Sequence, residues 1–247
     1  MRQIIRHSIL FIAVLSVFLF PTGALTFESK DEVARWFTYY YQNPEPAKVP
    51  EAFQYVGKAI LLDDKKAIPS MVGFLAGVIR NNPEKVNGWI DALKPLDETL
   101  LGVVVLGVWY ADLPDSQKLA YALLDQHPKL KDQYKFLYQG SPMAADKIPL
   151  EQGPWVLDLL WGNFMATGKK APVVRIISAL AWLDIKGDTN RILVAGAARW
   201  SLTSNAVQHH RVLEICQEEA INQPKGIAEK LQEIIKKAKA ELEERQK

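Results

Sequence analysis

Few residues in this chain have the type and setting to do chemistry, and Asp158 comes first. In Trp155-Val-Leu-Asp-Leu-Leu-Trp-Gly-Asn163 it is the only charge. A carboxyl buried among such neighbours has a raised pKa, suited to proton donation in a hydrolase or lyase. The plainer reading has Asp158 facing solvent or capping the start of its helix. Adjacent His209 and His210 point about 100° apart on a helix and are poorly placed to share a metal, while His210 meets Glu214 one turn on as a surface contact. Cys216, the only cysteine, has no disulfide partner within the chain; beside Val212, Leu213 and Ile215 it is expected to be a buried, inert thiol. Arg80, Arg175, Arg191 and Arg199 flank apolar helices, where they snorkel, pair with carboxylates or line a groove for an acidic ligand.

Aromatic residues supply the remaining binding candidates. Trp36-Phe-Thr-Tyr-Tyr-Tyr41 is aromatic nearly all round, so Trp36, Tyr39 and Tyr41 form either a stacking platform for a sugar or peptide or a bulky end-cap. Tyr134 and Tyr138 join them from an irregular stretch, and Arg199 from a late helix. No phosphate-binding loop, nucleophile elbow, His-Glu-x-x-His or Cys-x-x-Cys motif occurs, and Gly168-Lys169-Lys170 lacks the upstream loop and hydroxyl residue of a phosphate cradle. The expectation is a chain without cofactor or metal, with protein or peptide as partner, and enzyme activity the less favoured reading.

The elements that would hold these residues are helical. Thr99–Tyr110, uncharged and too short to cross a bilayer, is expected to be the central buried helix, with Gly102 and Gly107 as gaps for close neighbours. Ser29-Lys-Asp-Glu32 has capping-box spacing at the start of the first helix. About five helix pairs follow, with turns near residues 44, 83, 114, 169 and 204, the last formed by Thr203-Ser-Asn205. Small residues in the first helix (Gly73, Gly77, Gly102, Gly107, Gly162, Gly196) and an amphipathic second helix recur, with no sustained period-two alternation. The pattern predicts an all-α chain, an irregular α-solenoid spanning 25–225, interrupted at 125–153 by an insertion that is either a working face or another irregular pair. The segment 226–247 is a charged helix with a stripe of Ile227, Leu231, Ile234, Ala238 and Leu242, able to cap the stack, dimerise or dock.

Leu106-Gly107 with Tyr110 resembles the L-G-x-x-Y core of tetratricopeptide repeats, with Ala120 and Pro128 near that family's later positions. The resemblance covers one unit and implies an architecture of stacked helical hairpins, with no bearing on a ligand. Lytic transglycosylases, which also use a helical superhelix, are not matched: Glu28-Ser29 lacks that family's continuation.

Compartment and charge go together. Arg2 and Arg6, the apolar run Ser8–Phe20 and Pro21-Thr-Gly-Ala24 have the pattern of a signal peptide cut after Ala24, the alternative being a retained anchor. The full chain carries 30 basic and 28 acidic residues; without Arg2 and Arg6 the two are equal. That balance offers no general pull toward nucleic acid, and membrane contact is expected only through the signal segment. The expected role is a non-catalytic scaffold in the periplasm or outside the cell, of open oligomeric state. A helical hydrolase or lyase, or a binder of an apolar ligand, is the alternative.

Overall fold

The computed structural model describes residues 27–59 and 65–245. The expected signal segment 1–24, the end of the second expected helix at Leu61 and the last two residues lie outside the described residues. Among the described residues there is no strand, and the fold is all-α. The helices are α1 (Lys30–Tyr39), α2 (Val49–Ala59), α3 (Ile68–Asn81), α4 (Val86–Leu93), α5 (Glu98–Ala111), α6 (Ser116–Asp125), α7 (Pro128–Gln133), α8 (Trp155–Thr167), α9 (Lys170–Ser178), α10 (Thr189–Gln208), α11 (His210–Asn222) and α12 (Lys225–Glu244), with short 3₁₀ turns in some of the connections. No helix is long and apolar enough to cross a membrane among the described residues.

Helix ends follow local chemistry. Ser29 Oγ accepts from the Glu32 amide at 3.1 Å, which satisfies a donor left free in the first turn of α1, and the Glu32 carboxylate reaches back past the cap to the Glu28 amide at 2.8 Å. Asp97 accepts from the amides of Thr99 and Leu100 to start α5. At the other end of α5, Asp112 adopts a left-handed conformation (φ 54°), and Arg80 of α3 holds it there. Its Nε donates to Ala111 O at 2.8 Å and its Nη2 to Asp112 at 3.1 Å.

The hub of the core is α3 rather than α5. All of Met71–Ile79 is buried, with α5 on one side and α8 on the other. The reason lies in the glycines. A Cβ on Gly73 would stand 2.7 Å from the carbonyl carbon of Leu159, and one on Gly162 would stand 2.8 Å from the Phe74 nitrogen. Main chain therefore meets main chain, and Asn163 Nδ2 donates to Gly73 O at 3.3 Å across the crossing. Gly77 receives Ala166 beside it, while Gly107 of α5 receives Leu75 from the opposite face of α3. Contact positions rise together along all three helices, so α5, α3 and α8 run in the same direction. Their order in space differs from their order in the chain, because the glycine face of α3 is taken by the fourth hairpin.

The last hairpin departs from the expected turn. Thr203 Oγ1 bonds back to Arg199 O at 2.9 Å and Asn205 Nδ2 to Ser201 O at 2.9 Å, so both side chains serve the helix interior and α10 runs on to Gln208. The break falls at His209, in extended conformation. The 125–153 stretch consists of α7 and 3₁₀ turns that bury Leu130, Leu137, Ile148 and Leu150. Leu231, Ile234 and Ala238 of α12 are buried against α10 and α11, so the stripe is covered within the chain.

The crossing yields a stability prediction. Gly162→Ala must push α8 off α3, and its urea-unfolding free energy is expected to fall by about 2 kcal/mol or more. Gly88 of α4 has open space around it. Gly88→Ala is expected to raise stability by about 0.5–1 kcal/mol in the same assay, through helix propensity alone.

Candidate functional site

In α5, Leu106 and Tyr110, four residues apart, are the two positions between Leu100 and Ala111 that are not fully buried. They form one wall of a groove. The start of α3 supplies Ile68, Pro69 and Val72; the start of α8 supplies Trp155 and Leu159; the insertion supplies Phe136 and Gln152. The groove encloses about 270 Å³ and is mostly apolar. Trp155 Nε1 donates to Gln152 O at 3.0 Å, which fixes the indole at the entrance. Burial pushes the Tyr110 phenol above its ordinary pKa, so it stays a neutral hydroxyl. Phe136 is half exposed at the rim (51%). Three aromatic side chains from three separate elements thus surround an apolar floor, a setting that takes up an apolar group and has no nucleophile with an attendant base.

The residues singled out in the sequence fall into separate surroundings. Trp36 packs among the rings of Phe27, Phe37, Tyr40 and Phe74, and its Nε1 donates to Glu45 at 3.1 Å. Tyr39 and Tyr41 both lie on His209, with ring centroids at 5.2 and 5.8 Å. Tyr134 fills the gap at Gly102 of α5. Tyr138 stacks on Tyr121 at 4.4 Å with Lys131 over its ring, and Lys131 is paired with Asp125. Asp158 is exposed in the first turn of α8, and partial desolvation there raises its carboxyl above the ordinary value. Arg199 is exposed on α10 next to Trp200. No hydrogen bond, ion pair or ring contact among the described residues joins Asp158 or Arg199 to these aromatics.

His209 has a role the sequence did not reveal. It is fully buried at the corner between α10 and α11, with Nδ1 3.3 Å from the Tyr41 hydroxyl, the Phe164 ring at 5.8 Å and Nε2 without a partner. Burial depresses its pKa to about 4. Its neighbour His210 is exposed, 3.1 Å from Glu214, the one-turn contact expected. Cys216 is buried, its thiol pushed up to about 12 by burial and then by Glu219, which keeps it protonated and unreactive. Among the described residues no group of three His, Cys, Asp or Glu is placed to hold a metal ion. The groove itself escaped sequence reasoning because its lining carries no charge; the Leu106–Tyr110 pair is the one trace it leaves.

His209 makes acid stability testable. In the unfolded chain it takes a proton near pH 6.5, in the folded chain only near pH 4. Above pH 6.5 both states are neutral; as pH falls from 6.5 to 4 the unfolded state gains a proton the folded state refuses, and stability is lost across that window. His209→Gln removes the titration. Between pH 7 and 4.5 the wild type is expected to lose about 2 kcal/mol more unfolding free energy than this variant, measured by urea denaturation at both pH values.

No protein-family model, curated protein or solved structure matches this chain.

Proposed function

We propose that this chain is an exported, non-catalytic scaffold of helical-repeat type, whose groove at the starts of α3 and α8 receives an apolar side chain of a protein or peptide partner. The observation that carries the reading is the groove itself: an open, apolar recess lined by Tyr110, Phe136 and Trp155. Its shape suits an anchor residue, since partner binding concentrates in a few apolar or aromatic groups seated in pockets. The insertion contributes Phe136 and Gln152, in keeping with the tendency of long insertions in helical arrays to carry the working surface.

Kinship with tetratricopeptide-like arrays is supported by the parallel, glycine-spaced first helices of three hairpins, with the stack folded back so that α8 rests on α3. Export is supported by the basic residues Arg2 and Arg6 ahead of Ser8–Phe20, with cleavage after Ala24 and a periplasmic or secreted destination. A second reading, an apolar small molecule in the same groove, is favoured by its size, which approaches the lower bound of about 300 Å³ for ligand sites.

Two measurements test these readings. The mature protein is expected to begin at Leu25; a chain retaining Met1 in the cytosol removes the exported role. A photo-reactive phenylalanine analogue at Phe136 is expected to yield one discrete protein adduct in cells, absent when the analogue replaces Lys239 on α12. Adducts of equal pattern from both positions, or none from Phe136, overturn the docking groove. Lipid recovered by mass spectrometry from detergent-free protein, with no adduct, decides for the small molecule.

A further inference from the structure

The groove beside α5 is walled by rings that are not spent on one another. Tyr110, Phe136 and Trp155 reach it from α5, the insertion and α8. Among the described residues Tyr110 and Trp155 make no ring–ring contact, and Phe136 makes one, edge-on with Tyr134 at 6.1 Å. Elsewhere in the chain, partly open rings are covered by a resident cation. Lys131 stands over Tyr138 at 5.7 Å and Arg191 over Trp182 at 5.1 Å. Among the described residues that line the groove there is no lysine or arginine. Its rings carry negative faces with no cation of the chain's own to meet them.

Which cation suits them follows from what else the lining lacks. No carboxylate lines the groove among the described residues either. A lysine or arginine head would give up its water there and find no opposite charge for its N–H groups. A quaternary ammonium has no N–H to satisfy, is weakly hydrated, and offers methyl groups to apolar floor and ring face alike. Aromatic enclosures are its recurring binding mode. We propose that the groove binds a small trimethylammonium alcohol of the choline class, its cationic head among Tyr110, Phe136 and Trp155 and its hydroxyl at Gln152. The Tyr110 hydroxyl and the Gln152 carboxamide have no hydrogen-bond partner among the described residues, so one neutral polar group of the guest is met. A betaine or a phosphocholine headgroup would bring an anion to a lining without a cation, which disfavours both.

The inference rests on the groove being a binding site, as proposed above, and adds the charge that its guest carries. At about 270 Å³ the recess falls just below the range of drug-sized ligands, in keeping with a guest of few heavy atoms. Phe136, half exposed at the rim, is the ring that can be altered without touching the core. Trp155, tied to Gln152 O at 3.0 Å, carries an indole N–H at the entrance that reports on occupancy.

Proton–nitrogen NMR titration of the purified chain tests this, with the Trp155 indole N–H, assigned by its loss in Trp155→Phe, as the reporter. Choline is expected to shift that signal saturably at concentrations up to about 10 mM. It is expected to bind at least about tenfold more tightly than its uncharged isostere 3,3-dimethyl-1-butanol, and than ethanolamine or glycine betaine. Phe136→Leu is expected to weaken choline about threefold or more with the urea midpoint unchanged, while Phe136→Tyr retains it. Equal binding of choline and the neutral isostere, or preference for the isostere, overturns the proposal and leaves the groove as an apolar site. Choline binding that Phe136→Leu leaves unchanged overturns it too. Saturation by none of the four compounds does the same, and the adducts of the Phe136 analogue then decide the groove by themselves.

Discussion

Where α3 crosses α8, two glycines bring backbone against backbone, and much of the molecule is arranged by that contact. With Gly73 set against Leu159 and Gly162 against Ser70 and Phe74, the helices approach more closely than any side chain would permit. Close approach maximises dispersion contacts along the flanking rows, Phe74 and Val78 on one helix and Leu160 and Phe164 on the other, all buried. It also decides topology. The fourth hairpin is drawn onto the second, and the third, whose α5 is uncharged from Thr99 onward, is left with α3 on one side only. The Leu106–Tyr110 edge of α5 then has no helix of its own to meet. The insertion closes part of that gap, with Tyr134 set against Gly102 and Phe136 in the wall, and what it leaves open is the groove.

A second long-range tie links the first helical hairpin to the corner between α10 and α11. Tyr41 reaches His209 across 168 residues, and Tyr39 and Phe164 complete the enclosure. A histidine kept neutral in this setting is structural: it ends α10, its carbonyl accepts from the Val212 amide to begin α11, and its ring is a flat spacer among aromatics. Nε2 is left without a protein partner, a cost the surrounding ring packing offsets. Trp36 works in the same manner at the other end of the aromatic cluster, its one polar atom satisfied by Glu45. The aromatic N-terminal segment, a possible stacking platform by composition, is spent largely on packing.

What could be read from the sequence follows from what is local. Helical content, the Ser29–Glu32 cap, the buried Cys216, the His210–Glu214 contact and the apolar stripe of α12 are set by spacing within one or two turns, and each is present. The glycines were legible as gaps but not by occupant: a missing Cβ says that something approaches, and only the three-dimensional arrangement says that Gly73 is taken by α8 rather than α5. Thr203 and Asn205 misled because hydroxyl and amide side chains serve equally well in a turn and as acceptors' partners four residues back in a helix. His209 was invisible as a core residue because its burial depends on Tyr39, Tyr41 and Phe164, all remote in sequence. Of the candidate site residues, Asp158 proved to face solvent, and the groove drew instead on Leu106, Tyr110, Phe136 and Trp155, whose types alone do not separate a lining from a core.

Two apolar features left uncovered among the described residues differ in kind. The groove is concave and follows from packing: given the α3–α8 contact, Leu106 and Tyr110 must face something, and Phe136 and Trp155 are partly structural in covering them. The α10 face is convex, and nothing in the fold demands it. At Leu193 and Trp200 a lysine or glutamate would reach freely into water without disturbing any neighbour, as the residues of α12 do, and would favour solubility. Single exposed hydrophobes are ordinary, but Ile192, Leu193 and Trp200 share one side of one helix with an open glycine at their centre. Contiguous exposed apolar residues set the α10 face apart from the charged outer side of α12, and apolar strips of this kind are uncommon on helices that meet only water.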